Sequence, residues 1–361
     1  MDDSALNTIS SLDVIFTVDS SLLRTKRFFF SFLQQRFHVK DEYDFTLEEL
    51  ADGVTNKLYK CIILTTGLVV LLRLYGEGTE TFIDRQAEVK ILKFLVETGY
   101  FPAFYGSFPG GIAYGYIEGN ALTTSQLSLP EMWSKIATQL AFWHSNIQPP
   151  ISKEKAGSFI FDFIRKCVKT AKSSNNINKY LPIQSLLTKD LLKEIKKFLG
   201  EAKQIIEQRP LDFPIAFCHN DLLAGNIVLS NDNAKVSFID FEYAHYNYAA
   251  YDICNNWVEY AGMADTCNYT ESFPSVSFQK AWLTVYLNNT NIIDSKLEIN
   301  EEFVEEWRSK ILFFLPLTHL FWASWALVQA QNSSIDFDYV GWAWKRIEQF
   351  RKHSCLVTQM K

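Results

Sequence analysis

The sequence predicts an α+β protein with a small antiparallel-sheet lobe at residues 1–117 and a larger, mainly helical lobe at 118–361. Strand patterns joined by glycine turns precede residue 117, and helical periodicity dominates after it. The length of 361 residues is near the size at which one hydrophobic core divides into two. The composition, 48% hydrophobic and 21% charged, is that of a globular chain.

Charge and cysteine content argue against several classes of function. A formal net charge of −6 argues against nucleic acid as a main partner, which would require a basic face. The six cysteines form no C-x-x-C pair, so the sequence indicates neither a zinc site nor a disulfide framework. No basic segment leads into an apolar run at the N-terminus. We therefore expect a reduced, cytoplasmic setting.

Residues 57–75 predict two strands around a glycine turn, an arrangement that can cover nucleotide phosphates with backbone N–H groups. Taken alone, one glycine among polar residues is more typical of an ordinary hairpin. Four polar or small residues just before the first strand are candidates for the same binding role: Asp52, Gly53, Thr55 and Asn56.

Arg73 places a charge inside the second of these apolar strands. Such a charge is costly unless it is paired or faces a ligand. Residues 83–98 predict an amphipathic helix with Asp84 as its N-cap, and this helix carries Glu88. We expect Glu88 to pair with Arg73 and to aim the guanidinium at the phosphates of a nucleotide.

A further hairpin is predicted at 101–117, with its turn at 109–111. It ends at Tyr116 and Ile117.

Helical patterns follow in the larger lobe. Helices are predicted at 129–144 and 188–208, and the polar stretch 169–179 is predicted to be an exposed loop. The stretch 311–330 is as long as a membrane span. Four residues interrupt its apolarity: Pro316, His319, Ser324 and Gln329. A buried helix is therefore favoured over a membrane span.

Three residues form the strongest functional signal. Asp221 is followed by Asn226 and then by Asp240. Between Asn226 and Asp240, Asn-Asp-Asn at 231–233 separates two short apolar runs, which predicts a hairpin because these side chains tolerate left-handed backbone. The hairpin is expected to fold Asp240 back beside Asn226 and Asp221.

This grouping suits phosphoryl transfer. The reaction needs a carboxylate that takes the proton of the attacking hydroxyl, and oxygen ligands that hold Mg²⁺ on the nucleotide phosphates. His219, Asp221 and Asn226 have the spacing of the protein-kinase catalytic loop, and Asp240 falls where those enzymes carry the aspartate of Asp-Phe-Gly. We expect Asp221 to act as the base and Asn226 and Asp240 to hold the metal. The alternative is a polar loop with chance carboxylates.

The same segment resembles a known family. The motifs H-N-D-L-L-x-x-N-I at 219–227, I-D-F-E-Y at 239–243 and E-Y-A-G at 259–262 are similar to those of the choline/ethanolamine kinases, most of all the ethanolamine kinases. The likeness runs from about Phe45 to the C-terminus and is least specific at about 150–210. It implies a protein-kinase-like two-lobe fold, the cofactors ATP and Mg²⁺, and phosphorylation of ethanolamine to phosphoethanolamine on the route to phosphatidylethanolamine. It also implies that Tyr116 and Ile117 lie beside the nucleotide base at the passage between the lobes, where contacts are mostly made by the backbone.

Aromatic residues near the C-terminus are candidates for an amine pocket. Trp322 and Trp325 are three residues apart and share a helix face, which by itself usually indicates core packing. A desolvated ring can also stabilise an ammonium by about 0.5–2 kcal/mol. Glu259 would supply the matching carboxylate. The resemblance assigns seven residues to the amine pocket: Tyr243, Glu259, Trp322, Trp325, Phe337, Tyr339 and Trp342.

The choice of amine rests on finer detail. Choline kinases usually carry Gln two residues after the catalytic aspartate, whereas this chain has Leu223, as ethanolamine kinases do. Asp-Gly-x-Thr-Asn-Lys at 52–57 also resembles the ethanolamine kinases. The partner is thus expected to be a small amino alcohol, with choline, alone or as a second substrate, left open.

The sequence argues against two other classes of function. A catalytically silent scaffold of the same fold should lack the base or a metal ligand, and neither is missing here. A protein kinase should carry glycine after Asp240 and Phe241, where this chain has Glu242. The oligomeric state is open, with a homodimer as one option.

Overall fold

The structure, a computed structural model, describes residues 22–50, 56–76, 79, 83–154, 156–173, 177–263, 267–333 and 335–360. For residues 22, 23 and 177–181 it describes the backbone alone. Three residues of the predicted phosphate-covering turn, Asp52, Gly53 and Thr55, lie outside these ranges.

The N-terminal part is built on one antiparallel sheet. Its strands follow the order β1-β2-β3-β5-β4 across the sheet. The strands are β1 (Phe45–Glu49), β2 (Asn56–Ile63), β3 (Leu68–Tyr75), β4 (Phe104–Phe108) and β5 (Gly111–Gly115). Gly67, with φ of +71°, makes the predicted turn between β2 and β3 because glycine adopts this conformation without steric cost. The two predicted hairpins are confirmed.

Two helices flank this sheet, α1 (Leu22–Phe37) and α2 (Arg85–Glu97). Phe29 of α1 is buried against Tyr59 of β2, with ring centroids 5.5 Å apart in an edge-to-face contact. The predicted N-cap of α2 is confirmed, since the Asp84 carboxylate accepts hydrogen bonds from two backbone N–H groups in the first turn.

The C-terminal part is mainly helical and carries two small sheets. Its helices are α3 (Pro130–Asn146), α4 (Phe159–Lys172), α5 (Ile177–Leu186), α6 (Lys189–Gln208), α7 (Ala249–Val258), α8 (Val276–Asn289), α9 (Glu301–Phe313), α10 (Leu315–Asn332), α11 (Tyr339–His353) and α12 (Cys355–Thr358). Its strands are β6 (Asn120–Ala121), β7 (Ile215–Cys218), β8 (Ile227–Leu229), β9 (Val236–Phe238) and β10 (His245–Tyr248). The sheets are β10-β7 and β6-β8-β9.

The two parts share a core. Ile91 and Leu95 of α2 belong to the same buried cluster as the helices of the C-terminal part. The chain leaves the first sheet at the end of β5 and enters the second sheet at β6, which pairs with β8. The division of the chain into lobes at residue 117 stays a prediction.

The predicted helix at 188–208 is confirmed as α6, which begins after Thr188, the N-cap. The exposed loop predicted at 169–179 is wrong. Helix α4 continues through Lys172, and α5 begins at Ile177. The error has a physical cause: α4 buries apolar residues on one face while its lysines stay outside, so the lysines do not mark a loop.

The apolar stretch 311–330 lies in α9 and α10. Within the described residues, 301–332 is a stretch long and apolar enough to cross a membrane, and 94% of its most apolar window is buried inside the protein. Helix α10 is enclosed by protein along nearly its whole length. The predicted buried helix is confirmed.

Candidate active site

A short hairpin brings the three predicted catalytic residues together. Strands β8 and β9 pair with Ile227 opposite Phe238, and Ile239 donates its N–H to the carbonyl of Asn226 at 3.0 Å. The turn contains Asn233 at a φ of +58°, a left-handed conformation that asparagine tolerates. The hairpin predicted from sequence is present. Asp240 follows the end of β9 by two residues, and Asn226 immediately precedes β8, the strand that pairs with β9.

Asn226 is bound to the catalytic loop through its amide nitrogen. Its Nδ2 donates to the backbone carbonyl of Asp221 at 2.8 Å and to the Asp221 Oδ2 at 3.3 Å. This fixes the direction of the side chain and leaves the amide oxygen as its remaining donor atom for a cation. Both side chains are more than nine-tenths buried.

Electrostatic surroundings raise the basicity of Asp221. Burial raises the pKa of its carboxyl group well above the usual range, and the negative charges of Glu259, Asp240 and Glu242 act in the same direction. A carboxylate in such a position is a strong proton acceptor when it is ionised.

Arg73 lies between two carboxylates. Its guanidinium forms a buried ion pair with Glu88 of α2, as predicted, and its Nη1 donates to Asp240 Oδ1 at 2.6 Å. Arg73 is 4% exposed, so the pairing compensates a charge that would otherwise be costly inside the sheet. The arginine therefore connects α2 and β3 to the loop that carries Asp240.

The pKa values of Asp240 and Glu242 are shifted in opposite directions although the two residues are only two positions apart. Burial, followed by the charge of Glu242, raises the pKa of Asp240 to about 6 in spite of Arg73. For Glu242 the effect of burial is outweighed by Arg73 and Arg85, and its pKa falls below the usual range. Asp240 is 29% exposed by its side chain, whereas Glu242 is 1% exposed, so Asp240 is the more open carboxylate.

A second arginine lies beside this group. Arg85 donates from Nη1 to Glu242 Oε2 at 2.8 Å and to Glu88 Oε2 at 3.1 Å. Asn56, at the start of β2, donates to the same Glu242 oxygen at 2.9 Å. Asn56 is the described residue of the predicted phosphate-covering turn, and the structure places it next to the predicted metal site.

The other predicted nucleotide residues follow β5. Tyr116 lies with its ring 4.8 Å from the Lys60 ammonium, and Ile117 packs against the main core. Their contact with a nucleotide base stays a prediction.

The backbone of the catalytic loop is held by Asp252 of α7. Asp252 accepts from the N–H of His219 at 2.8 Å and from the N–H of Asn220 at 2.7 Å. It also lies 3.0 Å from His144 Nε2, and His144 Nδ1 is 2.7 Å from the Tyr286 hydroxyl. His144 is thus a buried residue that supports the catalytic loop through Asp252.

The predicted amine-binding rings form one cluster. Trp325 contacts Trp322 and Tyr339 edge to face, with centroids 5.6 and 5.9 Å apart. Its indole Nε1 donates to the Tyr243 hydroxyl at 2.8 Å. Trp342 lies 6.1 Å from Trp325 by the same measure. Phe337 contacts Tyr339 and Trp342, which completes the cluster. The structure brings the six rings together, and their contact with an amine stays a prediction.

Glu259 follows α7 and differs from these rings in two ways. It borders a cavity of about 290 Å³ that is also lined by the catalytic-loop residues Leu223, Ala224 and Gly225. It also accepts a hydrogen bond from Arg346 of α11 at 3.1 Å. Burial raises the pKa of Glu259, and Arg346 opposes that shift. The predicted carboxylate is thus already paired with a buried cation.

Comparison with known proteins decides the family. The model of the choline/ethanolamine kinase family matches residues 47–351. The chain belongs to the choline/ethanolamine kinase family. It is 35% identical over 335 residues to ethanolamine kinase 1 of Homo sapiens, an alignment that covers 89% of this chain and 70% of that protein. The same identity and length hold for ethanolamine kinase 1 of Mus musculus, of which 87% is covered.

A solved structure shows that the fold is shared. The Plasmodium vivax ethanolamine kinase superposes with a TM-score of 0.76 at 24% identity, over 90% of this chain and 89% of that one. The predicted protein-kinase-like α+β fold is confirmed.

Sequence reasoning missed three charged residues of this kinase site: Arg85, Glu242 and Arg346. Signals for the two arginines were present. Arg85 is three residues before Glu88 and therefore on the same helix face. Arg346 is four residues after Trp342 and four before Phe350, which places a charge in the apolar stripe of α11. For Glu242, the sequence pattern indicates only that the glycine typical of protein kinases is missing after Phe241.

Proposed function

We propose that this chain transfers the γ-phosphoryl group of ATP to the hydroxyl of ethanolamine and releases phosphoethanolamine and ADP. The grouping of Asp221, Asn226 and Asp240 around one hairpin supports phosphoryl transfer, because side chains of these types can supply a base and hard oxygen ligands for a metal. The choice of ethanolamine is supported by relatives named ethanolamine kinase and by Leu223 on the wall of the cavity beside Glu259.

The donor set fits Mg²⁺. Asn226 keeps its amide oxygen available while its nitrogen is bound to Asp221, and Asp240 keeps Oδ2 available while Oδ1 is bound to Arg73. Amide and carboxylate oxygens are the ligands that this ion prefers in proteins. When bound there, Mg²⁺ would neutralise charge on the phosphates.

The remaining work falls to the side chains. Asp221 would accept a hydrogen bond from the ethanolamine hydroxyl, orient its oxygen toward the γ-phosphorus and take its proton. A cationic amine beside Glu259 offsets one of the negative charges that raise the pKa of Asp221, which favours the ionised form of the base. Arg73 and Arg85 would supply positive charge near the phosphates, held in place by Glu88 and Glu242.

The test is an ATP turnover assay with ethanolamine, its N-methylated derivatives and choline in parallel, with and without Mg²⁺. We expect phosphoethanolamine, identified by ³¹P NMR, and rates that fall as methyl groups are added. Loss of turnover without Mg²⁺ should accompany this. Phosphorylation of choline at an equal or higher kcat/KM, or no phosphorylated amine at all, would overturn the assignment to ethanolamine.

A further inference from the structure

Arg346 is a buried cation beside the cavity-lining carboxylate. None of its surface is exposed. Its guanidinium carbon lies 4.4 Å from the ring centroid of Tyr269 and 4.4 Å from that of Trp342, so two rings enclose it. The third contact is the hydrogen bond from Nη2 to Glu259. These contacts hold the guanidinium in one orientation.

The cost of burying this arginine is compensated only in part. Its Nε and Nη1 have no hydrogen-bond partner among the residues that the structure describes. Buried donors without partners destabilise a protein, and a well-packed apolar side chain usually serves stability at least as well as a buried ion pair. Stability alone therefore gives no reason for a charge at this position.

The position of Glu259 relative to the cavity suggests the reason. Glu259 is among the residues that line the cavity next to the catalytic loop, whereas Arg346 is not among them. The arginine thus contacts the carboxylate without lining the cavity. A carboxyl group in such a buried place tends to be neutral, and a neutral carboxyl group does not attract an ammonium. A fixed cation in contact with the carboxyl group favours its ionised form.

We propose that Arg346 is a positioning residue that keeps the Glu259 carboxylate ionised and aimed at the ammonium group of the acceptor. This inference rests on the proposed function. Arg346 itself acts through Glu259 and makes no contact with substrate.

The experiment compares the KM for ethanolamine with the KM for ATP in Arg346→Met, in Glu259→Gln and in the double variant. A hydrogen bond between charged groups is worth about a factor of 10–100 in binding. We expect Arg346→Met to raise the KM for ethanolamine by about that factor and to leave the KM for ATP within about twofold. In the Glu259→Gln background the same substitution should add nothing, because the carboxylate on which it acts is gone.

Equal losses from Arg346→Met with and without Glu259, or an unchanged KM for ethanolamine, would overturn the proposal. Arg351→Gln is the matched control, since Arg351 is on the same helix and forms a surface ion pair with Glu194. If Arg346→Met fails to fold by circular dichroism, Arg346→Gln, which also removes the charge but keeps a polar side chain, replaces it in the same cycle with the same criteria. If the wild-type protein does not phosphorylate ethanolamine, the proposed function is refuted. If the wild-type protein is active and the Arg346 variant has the same KM for ethanolamine, only the proposal for Arg346 is refuted.

Discussion

The proposed metal end of the site consists of carboxylates and arginines, namely Arg73, Arg85, Glu88, Asp240 and Glu242. The proposed amine end instead consists of the six-ring cluster and a single ion pair, Glu259–Arg346. Arg73 and Arg85 are shared among Glu88, Asp240 and Glu242, so both arginines and Glu88 have two charged partners each. The proposed amine end has no comparable network of ion pairs among the described residues, and its aromatic rings contact one another instead. The metal end is thus suited to holding a polyanion with its cation, and the amine end to a small cation.

The largest expected effect is at the base that lies between the two ends. Asp221→Ala should lower kcat at least a hundredfold, because a positioned general base contributes about that much or more. The KM for ATP should change little, since Asp221 is assigned no nucleotide contact. Steady-state kinetics with both substrates varied would measure this.

The matched control for that variant is Asp190→Ala, because the Asp190 side chain is 96% exposed on α6. Near-normal turnover in Asp221→Ala would remove this residue from its role as the base. It would also show that Asp221 does not link the bound amine to the phosphoryl group.

A smaller effect is expected at the amine end. Trp325→Ala should raise the KM for ethanolamine by about 2- to 30-fold, the range that corresponds to one desolvated cation–π contact. The KM for ATP should rise much less. Trp344→Ala is the control, since Trp344 is 42% exposed on α11. Equal rises in both constants would indicate that Trp325 is a core residue only.

The smallest effect concerns the pH dependence at the metal end. Asp240, with a pKa raised to about 6, must be ionised to bind a cation. It is ionised above about pH 6 and protonated below, so the association constant for Mg²⁺–ATP, which does not require the base Asp221 to be ionised, should be level above pH 6 and fall about tenfold per pH unit below it. Glu242→Gln removes a neighbouring negative charge, lowers the pKa of Asp240 and should move the acid limb to lower pH.

The control for this shift is Glu207→Gln, which changes a glutamate on α6 whose side chain is 64% exposed. It should leave the acid limb where it is. An acid limb that stays at the same pH in Glu242→Gln would show that Asp240 is not the group responsible.

Local patterns allowed much of this arrangement to be predicted from sequence. The hairpin that places Asp240 beside Asn226 follows from turn chemistry, and the Arg73–Glu88 pair follows from the cost of a lone charge in a strand. Contacts between residues far apart in the chain were not predictable in this way. Glu242 meets Asn56 across 186 positions and Glu259 meets Arg346 across 87, and no local spacing encodes either pair.

The contacts that support the catalytic loop limit its transfer to other proteins. Asn220 has a φ of +64°, and its N–H and that of His219 are both held by Asp252, which is in turn bound by His144. The conformation of the loop therefore depends on contacts with α7 and α3. If the short H-N-D segment were grafted onto another protein without both helices, the sequence would be transferred but the loop conformation would be lost.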